Sequence, residues 1–295
     1  MTALKEFLAE VICEIDVTLN DRLPQANVEP TRLHEAIRWS VFAGGKRIRP
    51  AILIAVGRTF GAAENSLLST AAAFEMMHTY SLIHDDLPAM DDGDLRRGKA
   101  TCHRQFGEAT AILAGDVLQT LAFKTIADDE NLSAQIRLKL ISILANASGT
   151  PDGMVAGQQL DLDAEGKPLS IDALEQIHRQ KTGALITAAA EAGAAIGGAI
   201  DEEIAAVVEF AAKLGLLFQI TDDLLDVTQS SETLGKTAGK DVLAEKATYP
   251  GHYGVEKTRA LAEAIRKEAN QALVAIQKDT SRLREFSDMI ADRST

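Results

Sequence analysis

Residues 66–94 read SLLSTAAAFEMMHTYSLIHDDLPAMDDGD, and the composition changes sharply at Asp85. From Ser66 to about Asp86 the run is apolar nearly all round, as a helix enclosed by other helices would be. Pro88 lacks the amide that would continue the helix, so the helix should stop there. Five aspartates lie within the ten residues that begin at Asp85: Asp85, Asp86, Asp91, Asp92 and Asp94. Carboxylates gathered at the end of a buried helix are costly unless cations neutralise them.

The combination recurs at Gln219-Ile220-Thr221-Asp222-Asp223-Leu224-Leu225-Asp226, inside a second apolar run. Asp222 and Asp226 are four residues apart and share one helix face. Solvated, their repulsion costs roughly 0.2–0.5 kcal/mol; buried, it costs far more. One Asp-Asp pair alone reads more readily as a solvated cap than as a site. Capping does not account for aspartates midway along a second apolar helix. A calcium loop is disfavoured, because the alternating ligands and the glutamate at the twelfth position are missing. Mg²⁺ takes one or two carboxylates plus substrate phosphate oxygens, which suits two short clusters.

Outward from these clusters the chain is helical in pattern, with apolar residues recurring every three or four positions. Leu4, Phe7, Leu8, Val11, Ile12, Ile15 and Leu19 trace one face of an opening helix, and Leu33, Ile37 and Val41 a second that stops at Gly44-Gly45. Pro50 fits the first turn of a third. Helical patterns resume over 108–127, 133–147, 171–196, 201–227 and 255–276, with the longest loops at 87–105 and 229–249. The expected fold is all-α: one helical-bundle domain over residues 1–295 around a central cavity.

Net charge is −13, which disfavours nucleic acid and anionic lipid as partners. The two cysteines, Cys13 and Cys102, lie far apart in no metal-ligand spacing, which fits a reducing, cytoplasmic setting. The first residues lack the basic start and apolar stretch of a signal peptide. The closest approach to a membrane span is 184–200, which is Ala- and Gly-rich and interrupted by Glu191, so no membrane insertion is expected.

The chain resembles the trans-isoprenyl diphosphate synthases, most closely the bacterial farnesyl diphosphate synthases. Asp85-Asp86 with Asp91 matches the first aspartate-rich motif of that family, and Asp222-Asp223 with Asp226 the second. The segments 44–50 (GGKRIRP), 157–162 (GQQLDL), 181–183 (KTG), 234–237 (LGKT) and 246–250 (KATYP) match in the same order. The resemblance implies the isoprenoid synthase fold and a Mg²⁺-dependent condensation of isopentenyl diphosphate with dimethylallyl or geranyl diphosphate, giving farnesyl diphosphate. It implies three Mg²⁺ ions on the six motif aspartates, and a homodimer.

Residue by residue, the resemblance gives Lys46, Arg49, His78 and Arg97 to isopentenyl diphosphate. Arg96, Lys181 and Lys236 go to the allylic diphosphate, with Lys246 assisting. Lys181, Thr182 and Gln219 stand near the allylic cation. Tyr80, beside small Ser81, is the expected floor that limits chain length, and the loop 229–240 is the expected lid. Each residue also has a plainer reading. Lys46 to Arg49 alone is a solvated basic turn, and His78 alone a core histidine. Arg96 and Arg97 can pair with Asp92 and Asp94, which on a surface contributes about 0–1 kcal/mol. Tyr80 can be ordinary core, and Met76 and Met77 gap fillers. Gly93 departs from the family, where another acid is common, and loop closure could differ there.

Four other readings compete, one of them a non-catalytic binding or scaffold subunit, which would be expected to lose one aspartate cluster where both are intact. A class I terpene cyclase would mix Asn or Asp with Ser or Thr and Glu in its second motif and would not need the basic segment. A geranylgeranyl diphosphate synthase differs only in product length. A helical interaction protein leaves the paired aspartates unexplained.

Overall fold

The computed structural model describes residues 2–228 and 247–292. Helix α1 (Thr2–Arg22) buries Leu4, Phe7, Val11, Ile15 and Leu19 of the predicted face and leaves Leu8 and Ile12 half-buried at its edge. Then come α2 (Thr31–Val41), α3 (Ile48–Thr59) and α4 (Leu68–Asp85). Most of α4 is buried, as a helix apolar all round must be. Two-residue strands β1 (Leu95–Arg96) and β2 (Lys99–Ala100) pair antiparallel, and α5 (Cys102–Phe106) follows. The loop expected over 87–105 therefore contains a tight hairpin. Its corner residues, Arg97 and Gly98, both have positive φ, the requirement of a two-residue turn that matches strand twist.

Helix α6 (Glu108–Ala127) packs along α4. Helix α7 (Ala134–Ser148) starts at Ser133, whose hydroxyl accepts from the Ile136 amide. Helix α8 (Met154–Ala164) escapes the periodicity reading, since its apolar residues form no clear stripe. The single helix expected over 171–196 is continuous but uneven. It comprises α9 (Ile171–His178), a π turn (Arg179–Gly183) and α10 (Ala184–Ile196). Helix α11 (Asp201–Thr228) packs on α10 and on α13 (Val255–Ala272). The remaining helices are α12 (Tyr249–Tyr253) and α14 (Ser281–Ala291).

The central layer is α10, enclosed by α3, α7 and α11. Its alanines let neighbouring backbones approach closely, and Ala189, Ala190, Ala192 and Ala194 are fully buried. By length and composition, α11 rather than residues 184–200 is the helix apolar enough to cross a membrane. Val207, Phe210, Leu214, Leu217 and Ile220 are nonetheless fully buried against other helices, so its hydrophobicity is that of a core element.

Candidate active site

The first aspartate cluster is shaped by how α4 ends. Asp86 caps the helix, and the loop behind it folds back onto the last turn. The Asp91 amide donates to the Asp85 carbonyl at 2.9 Å, and the Gly93 amide to the Asp86 carbonyl at 3.2 Å. These bonds satisfy carbonyls that a helix end leaves over, and they bring Asp91 beside Asp85. The Asp85 carboxyl is pushed up to about 6, first by burial and then by Asp91 and Asp86, while Lys181 and Arg96 pull it down.

Asp86 has a different task. It is 5 % exposed and accepts from Nε and Nη2 of Arg96, both at 2.7 Å. Such a two-pronged pair holds the hairpin against α4. Gly93 explains itself here: a Cβ at that position would lie 2.8 Å from Oδ1 of Asp86. An acid there would crowd the Asp86–Arg96 pair.

In the second cluster the helix continues through all three aspartates. Asp222 and Asp226 lie half-buried on one face. Asp223 is buried, and its Oδ2 accepts from the Tyr249 amide at 2.9 Å, anchoring the chain where it re-enters at α12. Asp86 and Asp223 each give oxygen lone pairs to the protein, and each carboxylate keeps others for a further partner. Among the described residues no three His, Cys, Asp or Glu side chains converge to cage an ion. Such a partial donor set, with mutually repelling carboxylates, suits an ion that takes its remaining ligands from a phosphate.

Lys181 acts on the first cluster from the far side of the bundle. Its Nζ pairs with Oδ2 of Asp161 on α8 at 2.8 Å, and its charge acts on Asp85 at the end of α4. It stands on the π turn, which packs against both α8 and α11. Two glycines make that packing possible. A Cβ on Gly157 would overlap the Lys181 amide nitrogen, and one on Gly215 would lie 2.9 Å from the Gly183 Cα. The widened turn is thus held between two bare stretches of helix, as π turns at functional sites often are. Thr182 follows it in the π turn and is half-buried, and Gln219 on α11 is half-buried as well. Asp161, quoted in the sequence only as part of a motif, is the partner that reasoning by type missed.

The basic groups gather around His78, two helical turns before Asp85 on α4. Lys46 is exposed, Arg49 half-buried, and Arg97 lies across the preceding loop, its Nη1 donating to the Gly44 carbonyl. A Cβ on Gly45 would collide with that guanidinium. Burial pushes Arg49 down to about 10 and also lowers Arg97. His78 is held well below 6.5 by burial first and then by Arg49, Arg97, Arg96 and Arg47, so it is a neutral hydrogen-bonding group at pH 7. Its Nδ1 and the Nε of Arg49 are buried with no hydrogen-bond partner among the described residues. Buried donors and acceptors left over in this way suit a polar ligand. A cavity of about 30 Å³, lined by Thr79, Asp86, Arg96, Arg97 and Cys102 among others, opens beside them. A larger groove of about 580 Å³, between α1, α13 and α14, shares no residue with either cluster.

Tyr80 is half-buried one turn before His84, and the two rings meet edge-on with centroids 4.9 Å apart. Burial raises its hydroxyl, helped by Asp85 and Asp116. The Ser81 hydroxyl donates to the His78 carbonyl at 2.8 Å and stays on its own helix. Met76 and Met77 are fully buried core residues, Met76 against Thr125 of α6. Lys236, Lys246 and the expected lid over 229–240 lie outside the described residues.

Residues 30–282 match the polyprenyl synthetase family. The chain belongs to that family. It is a prenyltransferase of isoprenoid biosynthesis. It is 48 % identical to the farnesyl diphosphate synthase of Escherichia coli over 270 residues, 90 % of each chain. It is 46 % identical to the chloroplastic geranylgeranyl pyrophosphate synthase 11 of Arabidopsis thaliana over 280 residues, 93 % of this chain and 78 % of that one. Among solved structures, an FPP/GFPP synthase from Zymomonas mobilis superposes with a TM-score of 0.88 at 36 % identity, covering 98 % of this chain and 99 % of that one. A Helicobacter pylori geranyltransferase complexed with magnesium and isoprenyl diphosphate superposes with a TM-score of 0.83 at 33 % identity, covering 97 % and 96 %. The polyprenyl synthetases thus account for the all-α fold; their named products differ.

Proposed function

We propose that this prenyltransferase joins isopentenyl diphosphate head-to-tail to dimethylallyl and then geranyl diphosphate, releasing farnesyl diphosphate. Lys181 carries the reading, because it ties α8 and the π turn on α11 electrostatically to Asp85 on α4. In this reading Lys46, Arg49, His78 and Arg97 hold isopentenyl diphosphate. Arg96 and Lys181 hold the allylic diphosphate, with Lys236 and Lys246 from outside the described residues. Asp85, Asp91, Asp222 and Asp226 would ligate magnesium, with Asp86 and Asp223 steadying them. Magnesium, three ions by the family pattern, would neutralise charge on the leaving diphosphate.

The allylic C–O bond breaks and its electron pair leaves with the diphosphate. The terminal double bond of isopentenyl diphosphate supplies the pair for the new C–C bond. A proton then leaves to the departing diphosphate, so no side-chain base is required. The Thr182 hydroxyl and the Gln219 carbonyl turn fixed dipoles towards the allylic cation, which act strongly where water is excluded. Tyr80, braced by His84, closes the pocket below a C15 chain. A cytoplasmic homodimer belongs to the same proposal, supported by Ile112 and Leu113, which α6 leaves exposed.

Product analysis tests the chain length. With isopentenyl diphosphate, Mg²⁺ and either allylic starter, the expected product is C15, lost in Asp85→Ala. Tyr80→Ala should lengthen it to C20 or beyond. A C20 product from the unaltered protein would favour the second reading, a geranylgeranyl diphosphate synthase, which the Arabidopsis relative supports.

A further inference from the structure

Arg47 stands between Lys46 and Arg49 in sequence but faces the opposite way. Lys46 is exposed, whereas the Arg47 side chain is 1 % exposed. The reversal comes from the backbone: Arg47 is left-handed, with φ 46° and ψ 43°, just before α3 begins. Side chains adopt that conformation at a cost, so something must hold it. The guanidinium supplies the hold. Its Nη1 donates to Oε1 of Glu75 at 2.8 Å, and its Nε and Nη2 to Oδ1 of Asp16 at 3.1 and 2.8 Å. Nη2 also donates to the Val41 carbonyl at 2.7 Å. These four bonds tie α1, the end of α2, the glycine loop and α4 together at one point. Three of the groups they join, Arg47, Glu75 and Val41, are buried; Asp16 is the more exposed end.

Glu75 is the other half of the device. It is 2 % exposed and lies one turn before His78 on α4. Its charge attracts Arg49 and Arg97, which otherwise repel each other; Arg47 repels Arg97 as well. Guanidinium groups crowded round a neutral histidine would spread apart without a fixed anion beneath them. A buried ion pair of this kind is a weak source of stability but a strong source of fixed geometry when both partners are fully hydrogen-bonded.

We propose that Arg47 and Glu75 are positioning residues for isopentenyl diphosphate: their buried pair sets the loop that presents Lys46 and Arg49 and gathers Arg49 and Arg97 before the diphosphate arrives. The proposal rests on the assignment of Lys46, Arg49, His78 and Arg97 to that diphosphate. Neither positioning residue touches substrate. Their contribution is preorganisation, which lowers what the cradle must rearrange on binding.

The test is a split between the two substrates. Glu75→Gln keeps the shape and removes the charge. Its KM for isopentenyl diphosphate should rise about tenfold, while kcat and the KM for geranyl diphosphate stay within about twofold. Arg47→Lys keeps the charge opposite Glu75 but loses the fork to Asp16 and Val41, and should give a smaller rise in the same KM. Should Glu75→Gln not fold, judged by circular dichroism, Arg47→Lys and Asp16→Asn at the more exposed end of the cluster decide the matter. Equal losses for both substrates, or a fall in kcat alone, would reduce the pair to a structural role and overturn the proposal. Tighter binding of isopentenyl diphosphate in Glu75→Gln would overturn it too, by making Glu75 a competitor for the arginines. Arg49→Ala separates the two levels. If it leaves the KM for isopentenyl diphosphate unchanged, the cradle assignment itself fails. If it raises that KM and Glu75→Gln does not, only the positioning role fails.

Discussion

The ends of α4 and α11 carry the same residues and are built differently. At α4 the helix stops inside the Asp-Asp pair, and a loop folds back to bring the third aspartate alongside. At α11 the helix runs on, and the third aspartate comes from the next turn of the same face. Both ends nevertheless divide the adjacent pair. Asp86 and Asp223 are buried and hold Arg96 and the Tyr249 amide, while Asp85 and Asp222 stay half-buried. Neighbouring residues on a helix point about 100° apart. Two adjacent carboxylates therefore point in different directions from the same turn. The pair joins a half-buried carboxylate, proposed above as a metal ligand, to a buried one that anchors the chain.

Breaking that division should give the largest effect. Asp85→Ala and Asp222→Ala should lower the rate about 10³-fold, the scale of losing a charged group at the reacting centre. The melting temperature of Asp85→Ala should hold or rise, because its carboxyl is under repulsion from Asp91 and Asp86. Asp86→Asn and Asp223→Asn should instead lose roughly 1.5–3 kcal/mol of stability, as hydrogen bonds to charged groups do. Steady-state rates and thermal melts on all four variants check this. Matching rate losses with unchanged melts in Asp86→Asn and Asp223→Asn would erase the distinction.

The π turn offers a sharper test of how the α11 end is joined to the rest. Gly157→Ala places a methyl group against the Lys181 amide. Overpacking of this kind costs about 1–3 kcal/mol. Displacing Lys181 and Thr182 by even about an ångström should lower the rate about 10²-fold. Gly215→Ala should do less, since its contact is with the Gly183 Cα at 2.9 Å and not with a peptide group in direct overlap. A Gly157→Ala protein with unaltered kcat and an unaltered KM for the allylic substrate would show that the widened turn is not what positions Lys181.

These cases mark where the sequence was legible. Periodicity carries the faces of α1 and the bounds of α6 and α11, because each buries a stripe or a full circumference that local spacing reports. It does not carry the π turn, whose shape depends on Gly157 and Gly215, residues that are distant in the chain. Nor does it carry α8, which packs small and polar residues against that turn. The hairpin is hidden because Arg97 takes a left-handed φ where Asn or Asp would be the usual signal. The aspartates can be read as two sets, but not as ligand and anchor. Tyr249, which claims Asp223, is 26 residues away, and Asp161, which claims Lys181, is 20 residues away. Residue types name the chemistry; long-range partners decide which member of a pair performs it.

The smallest expected effect concerns pH at the cradle. His78 is held below 6.5 by burial and by Arg49, Arg97, Arg96 and Arg47, so the folded protein resists a proton that the unfolded chain accepts. Stability then rises with pH wherever the unfolded state binds more protons. As pH falls below 6.5 towards the folded value, this one group removes stability by up to about 1.4 kcal/mol per pH unit. Above 6.5 its contribution is complete and flat. His78→Gln should therefore lose less stability than the unaltered protein between pH 6.5 and 5.5, in denaturant melts run side by side. A diphosphate among the same arginines should reverse the sense of the field and raise the affinity of His78 for a proton. Inorganic pyrophosphate should then bind more tightly at pH 6 than at pH 7.5 once its own ionisation is subtracted, and the gain should vanish in His78→Gln. Equal pH slopes in the two proteins would mean that His78 does not face the bound anion. The cradle would then consist of Lys46, Arg49 and Arg97 alone.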